Sequence, residues 1–162
     1  MRTLGIDPGT STVGWGVIDG TDSELHLVAY GEISPPPDSS FPEKLKRISE
    51  GIEKVILEHK PEALSIEEPF FAKNPKAALG IGQMVGAIKL TALNSGIEVT
   101  SYSVLEIKQA VVGYGRADKG QVQNMVKVLL HLDTIPEPQD AADALAVAVC
   151  HQHSRSGLNK VS

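Results

Sequence analysis

Two short apolar runs, Thr3-Leu4-Gly5-Ile6 and Ala63-Leu64-Ser65-Ile66, each end on a carboxylate, Asp7 and Glu67, and a long stretch of helical periodicity lies between them. No other feature constrains the fold as much. Across residues 41–59 the apolar side chains Leu45, Ile48, Ile52, Val55 and Ile56 fall on one helical face, and Pro61 closes the segment. A strand, a crossover helix and a second strand imply parallel pairing, so Asp7 and Glu67 are expected at the same edge of neighbouring strands.

The first run turns at Pro8-Gly9 and resumes as Thr12 to Ile18, where glycines alternate with large apolar residues, the mark of a strand packed closely on its neighbour. Asp19-Gly20 reads as a turn, and Leu25 to Ile33 as a third strand, giving an antiparallel meander. Residues 34–40, rich in Pro and Ser, read as a surface loop. Beyond Glu67 a helix is expected from Pro75 to Asn94, with Gly82 and Gly86 four apart and forming a groove that another helix could enter, within the fold or from a second subunit. A fifth strand is expected over Ile97–Tyr102, helices over Val104–Val112 and Gln121–Leu132, a loop at Gly113-Tyr114-Gly115, and a last helix from Gln139 to about His151. The chain is expected to be one α/β domain over residues 1–154 with a short tail, 155–162.

The formal net charge of -5 argues, taken alone, against a nucleic-acid partner. Its distribution weakens that objection. Between residues 73 and 127 stand seven bases, Lys73, Lys76, Lys89, Lys108, Arg116, Lys119 and Lys127, against three acids, Glu98, Glu106 and Asp118. Such a segment suits either a phosphate-facing surface or a solvated helix face. The single cysteine, Cys150, excludes an internal disulfide and lies in a run of small residues where a buried, inert thiol is expected. No stretch approaches the roughly 20 apolar residues of a membrane span, and the sequence opens without a signal-peptide pattern, so a cytoplasmic protein without a membrane partner is expected.

Asp140 and Asp143, three apart on the last helix, share one face. Each acid alone has an ordinary reading: Asp7 as a turn residue, the helical pair as favourable charges at a helix N-terminus. Together with Glu67 they invite another. Two carboxylates at ~4 Å repel by about 4 kcal/mol at an effective dielectric near 20, so four converging acids call for a divalent cation. All-oxygen ligation suits Mg²⁺ or Mn²⁺, and a pair of such ions would clamp the attacking and leaving oxygens of an in-line displacement at phosphorus. The chemistry suggested is phosphodiester hydrolysis.

Four stretches, GIDPGTSTVGWGVI, IEEPFFAKNPKAALGIGQMVGAI, IKQAVVGYGRADKGQVQNMV and QDAADALAVAVCH, taken in order over nearly the whole chain, resemble the RuvC family of Holliday-junction resolvases. The resemblance implies a ribonuclease H-like α/β fold, a five-stranded mixed sheet of order 3-2-1-4-5 with helices on both faces. It implies a homodimer that makes paired symmetric nicks in a four-way DNA junction, using two Mg²⁺ per active site with Mn²⁺ as a substitute, and it raises a branch-migration complex of the RuvAB kind as a possible partner. By position, Asp7, Glu67, Asp140 and Asp143 match the family's metal-binding catalytic acids. Lys119 and Lys108 match bases near the scissile phosphate, with Lys119 also a catalytic candidate, and Phe70 matches an aromatic used against a base. Lys73, Lys76 and Arg116 are expected backbone contacts, and Gly82, Gln83 and Gly86 are expected at the subunit interface. Two departures stand out: Glu68-Pro69 inserts an extra acid after Glu67, and Asp118 adjoins Lys119. Two rival readings remain at this stage, a non-catalytic junction-binding module and a phosphate-loop ATPase or kinase relative using Thr10 and Ser11.

Overall fold

Alternation along the first strand divides the molecule. In the computed structural model, which describes residues 1–21, 23–69 and 74–161, with side chains through Gly157 at the C-terminal end, β1 (Arg2–Asp7) sends Leu4 and Ile6 to one face of the sheet. Thr3, Gly5 and Asp7 point to the other. β1 pairs antiparallel with β2 (Val13–Gly20), which pairs antiparallel with β3 (Leu25–Ile33). After α1 (Phe41–His59), β4 (Ala63–Glu68) returns parallel to β1 with Ile6 opposite Ile66. After α2 (Pro75–Asn94), β5 (Glu98–Ser103) pairs parallel with β4. The strand order is therefore 3-2-1-4-5, as the resemblance implied.

Each face has its own core. Leu4, Ile6, Leu64 and Ile66 pack against Ile48, Ile52 and Ile56 of α1 and Met84 and Ile88 of α2, all buried. The opposite face carries α3 (Val104–Val112), α4 (Lys119–Leu129) and α5 (Gln139–Val161), joined through Ile107, Val122, Val126, Leu145 and Val149.

α5 sits against the sheet at backbone distance. A methyl group added at Gly5 would overlap the Ala144 carbonyl and Ala148, and one at Gly14 would overlap the Asp140 carbonyl. Hydrogen bonds complete the seam: Ser65 Oγ donates to the Val147 carbonyl at 3.2 Å, and Gln152 Nε2 donates to Thr3 Oγ1 at 2.9 Å.

Three expectations are corrected. Asp19-Gly20 is strand, because Asp19 lies opposite Arg2 and accepts its Nε at 2.8 Å and its Nη2 at 2.9 Å; the chain reverses later, where Thr21 N donates to the Glu24 carbonyl. α4 begins at Lys119 because Asp118 and Gln121 form a capping box, and it stops at Leu129, shortly before His131 adopts a left-handed conformation. α5 continues past the expected end near His151 to Val161, and Arg155 pairs with Glu98 at 3.0 Å.

Gly5→Ala should destabilise the chain by about 2 kcal/mol through overpacking against α5, lowering the melting temperature by roughly 4–8 °C. Differential scanning calorimetry of the variant against wild type measures this directly.

Candidate active site

β1 and β4 run parallel, so Asp7 and Glu67 leave the sheet at the same edge and on the face that α5 covers. Asp140 in the first turn of α5 and Asp143 at the start of the second come from the end of the helix that the seam at Gly14 and Gly5 presses onto that edge. Carboxylate oxygens of Asp7, Asp140 and Asp143 all lie within 4.8 Å of one another. Glu67 stands outside that triad but lines the same cavity of about 310 Å³, together with Lys108, Lys119, Val104 and Ile107.

Crowding and burial leave their mark on these acids. Burial first, then the charges of Glu67, Asp143 and Asp140, push the Asp7 carboxyl up to about 8. Glu67 is also raised, by burial and then by Asp143, while Lys119 and Lys108 oppose the shift. Asp143 is raised by burial against the pull of Lys119, whose ammonium lies 3.0 Å from Asp143 Oδ2. Burial opposes the charge on Lys119, but its hydrogen bond to Asp143 and the nearby carboxylates raise its pKa on balance. Acids held this way stay ionised together only when positive charge joins them, and an all-oxygen set of this kind fits Mg²⁺ or Mn²⁺.

Local structure fixes each contributor. Asp118 accepts the Gln121 backbone N–H at 2.8 Å and so sets the start of α4, with Lys119 in its first turn. The acid that adjoins Lys119 in sequence thus serves as a helix cap. Glu68 faces away from Glu67 and is held by Lys89 at 2.6 Å on α2. Cys150 and His151, about two turns further along α5 than Asp143, are buried among α3 and β5, where His151 Nδ1 pairs with the Tyr102 hydroxyl at 2.9 Å.

Other expected residues stand elsewhere. Arg116 is exposed on the α3–α4 loop and Lys76 is exposed in the first turn of α2, and neither lines the cavity. Gly82, Gln83 and Gly86 lie on the exposed face of α2, and a methyl group at either glycine would meet nothing within 4 Å. Phe70 and Lys73 lie outside the described residues. Sequence reasoning passed over Gln123, whose side chain helps Lys119 to oppose the upward shift of the Asp143 carboxyl. The available signal was its spacing, four residues after Lys119 and hence on the same helical face.

A family model described as "Crossover junction endodeoxyribonuclease RuvC" matches residues 3–151. The chain belongs to the RuvC family. Among its relatives, the crossover junction endodeoxyribonuclease RuvC of Caldanaerobacter subterraneus subsp. tengcongensis is 48% identical over 99% of this chain and 98% of its own length. That of Chloroflexus aurantiacus is 44% identical over the same shares. Among solved structures, T. thermophilus RuvC in complex with Holliday junction substrate superposes with a TM-score of 0.92 at 32% identity, covering 97% of this chain and 96% of that one. The yeast mitochondrial Holliday junction resolvase Ydc2, 13% identical with a TM-score of 0.71, over 98% of this chain and 80% of that one, shares the fold.

The raised Asp7 carboxyl makes stability depend on pH. Between the unfolded value of 3.8 and about 8 the folded chain binds a proton that the unfolded chain does not, so in chelator stability should fall as pH rises through that window. Asp7→Asn should melt higher than wild type in chelator, by roughly 2–4 °C per kcal/mol of repulsion relieved, flatten the pH dependence and abolish most stabilisation by Mg²⁺. Thermal melts across pH 5–9, with chelator or Mg²⁺, provide the check.

Proposed function

We propose that this chain is a metal-dependent endonuclease that resolves four-way DNA junctions by paired symmetric nicks, serving recombination and repair. The single observation that carries the reading is the acid triad of Asp7, Asp140 and Asp143, with Glu67 and Lys119 in the same cavity, in a member of the RuvC family. Asp7, Glu67, Asp140 and Asp143 would hold two Mg²⁺, or Mn²⁺ in their place. Bound there, such ions supply an activated water and charge stabilisation of the leaving oxygen.

The chain's own residues do the remainder. Lys119, 58% exposed at its side chain, can swing from Asp143 to an incoming phosphate and steady the charge that develops on it. Lys108, which also lines the cavity, would draw the strand into it. Arg116, Lys76 and Lys73 follow the backbone outside it, and Phe70 is assigned to a base near the exchange point.

Two like nicks need two like sites, and the described residues of one chain hold one acid cluster. A homodimer through α2 supplies the second. Leu79, Leu90 and Leu93, each more than half exposed, extend the face that carries Gly82, Gln83 and Gly86. Branch-migration partners of the RuvAB kind would present the junction to that dimer. Among the described residues no helix is long and apolar enough to cross a membrane, and a chromosomal substrate assigns the work to the cytoplasm.

A synthetic four-way junction incubated with the protein and Mg²⁺ should yield paired, ligatable nicks that disappear in Asp7→Asn. Equal cutting of linear duplex would overturn junction selectivity, and tight junction binding with no cleavage in Mg²⁺ or Mn²⁺ would make the chain a binding module.

A further inference from the structure

The α3–α4 loop carries an exposed aromatic that no role described above uses. Gly113 ends α3 in a left-handed conformation at φ 99°, and the chain then folds back over the helix it has just left. Gly115 is the pivot. A methyl group there would overlap the Leu105 side chain, from the first turn of α3, and lie 3.7 Å from Gln109 Nε2, so the loop rests directly on the side chains of that helix. Tyr114, between the two glycines, is 47% exposed.

Its surroundings set it apart from the other exposed apolar residues. Leu79, Leu90 and Leu93 belong to α2, while Tyr30, Leu57 and Val128 sit on other elements. Val104 lies in the wall of the acid-bearing cavity, and Leu105, 55% exposed, follows it in the first turn of α3. Leu105 and the loop that carries Tyr114 thus form a shelf that begins one residue from the wall of the site that would receive the scissile phosphate. From Lys108, also in that wall, to the Gly113 cap is about 8 Å of helix.

The charge around the shelf selects its occupant. Residues 107–117 include two bases, Lys108 and Arg116, and no acid. The nearest acids in sequence are already engaged: Glu106 bonds the Ser103 N–H at 2.7 Å, and Asp118 caps α4. An exposed aromatic on a segment whose only charged residues are bases fits a nucleotide, with phosphates toward the bases and a ring face against the aromatic.

We propose that Tyr114 is a substrate-positioning residue that stacks on an unstacked base of the cleaved strand, close to the scissile phosphate, with Leu105 supporting its loop. This rests on the junction-cleaving reading above. Stacking favours the opened strand and is indifferent to base identity, so it orients the phosphate without setting a sequence preference. The phenyl ring is the operative part; the hydroxyl is dispensable.

Junction cleavage by Tyr114→Ala, Tyr114→Phe and wild type is measured on an intact junction and on junctions carrying a single abasic site at each nucleotide flanking the cut. On the intact junction, Tyr114→Ala should raise KM roughly tenfold and Tyr114→Phe should match wild type. At one abasic position the difference between wild type and Tyr114→Ala should vanish, since the base that the ring would meet is gone. An undiminished difference at every abasic position would overturn stacking. So would a Tyr114→Phe variant as impaired as Tyr114→Ala, or a Tyr114→Ala variant with wild-type KM. A change in sedimentation of Tyr114→Ala without DNA would assign the shelf to protein contact and overturn the proposal. Wild-type activity on the intact junction tests the junction-cleaving reading separately, because its absence would fail that reading before any variant is compared.

Discussion

Everything in the candidate active site depends on how closely α5 lies on the sheet. Gly5 and Gly14 present no side chain to the helix, and Ala144 and Ala148 present only methyl groups in return, so the two backbones approach nearly to contact. Asp140 and Asp143 ride on that contact. Were α5 lifted by one side-chain layer, both would leave the reach of Asp7. Strand alternation does the complementary work, sending Leu4 and Ile6 to the opposite core so that the α5-facing positions of β1 are free for Thr3, Gly5 and Asp7. The seam is made of small residues because its function is proximity.

Proximity has an electrostatic cost, and the chain's acids divide according to whether they share it. Burial raises Asp7, Glu67 and Asp143, neighbouring carboxylates raise each further (Glu67, Asp143 and Asp140 for Asp7, Asp143 for Glu67, Asp140 for Asp143), and Lys119 offsets only part of this. Glu68 and Asp118, which sequence position alone would add to the burden, are engaged elsewhere. Lys89 and a side-chain hydrogen bond to Ser101 hold Glu68 below the usual carboxylate range on the far side of the strand, and Asp118 fixes the start of α4. The net negative charge of the chain therefore does not describe the cavity wall, which Lys108 and Lys119 share with the acids.

Much of this was legible in the sequence because it is periodic or punctuated. The spacing of Leu45, Ile48, Ile52 and Ile56 defines α1, and the two carboxylate-terminated runs give the parallel pair and its shared edge. The glycines at 14 and 16 signalled close packing, although not that α5 would be the partner. What the sequence concealed came from contacts between distant residues. The strand character of Asp19 depends on Arg2, seventeen positions away, and the length of α5 beyond His151 is unmarked by any regular apolar stripe because residues such as Arg155 meet Glu98. The start of α4 was readable in principle: Asp118-x-x-Gln121 is a capping signature that periodicity alone does not register. The place of Glu67, in the cavity but outside the tight triad, follows from the distance between strand ends and has no counterpart in spacing.

The dependence of the metal site on the helix seam is open to one direct measurement, calorimetric titration of Mn²⁺ into wild type and Gly14→Ala. The added methyl group would displace the Asp140 backbone from β2 while leaving all four acids in the sequence. Wild type should bind Mn²⁺, and Gly14→Ala should bind it at least roughly tenfold more weakly while still unfolding cooperatively. Equal affinity and stoichiometry in the two proteins would contradict the assignment of α5's close approach as the device that builds the site.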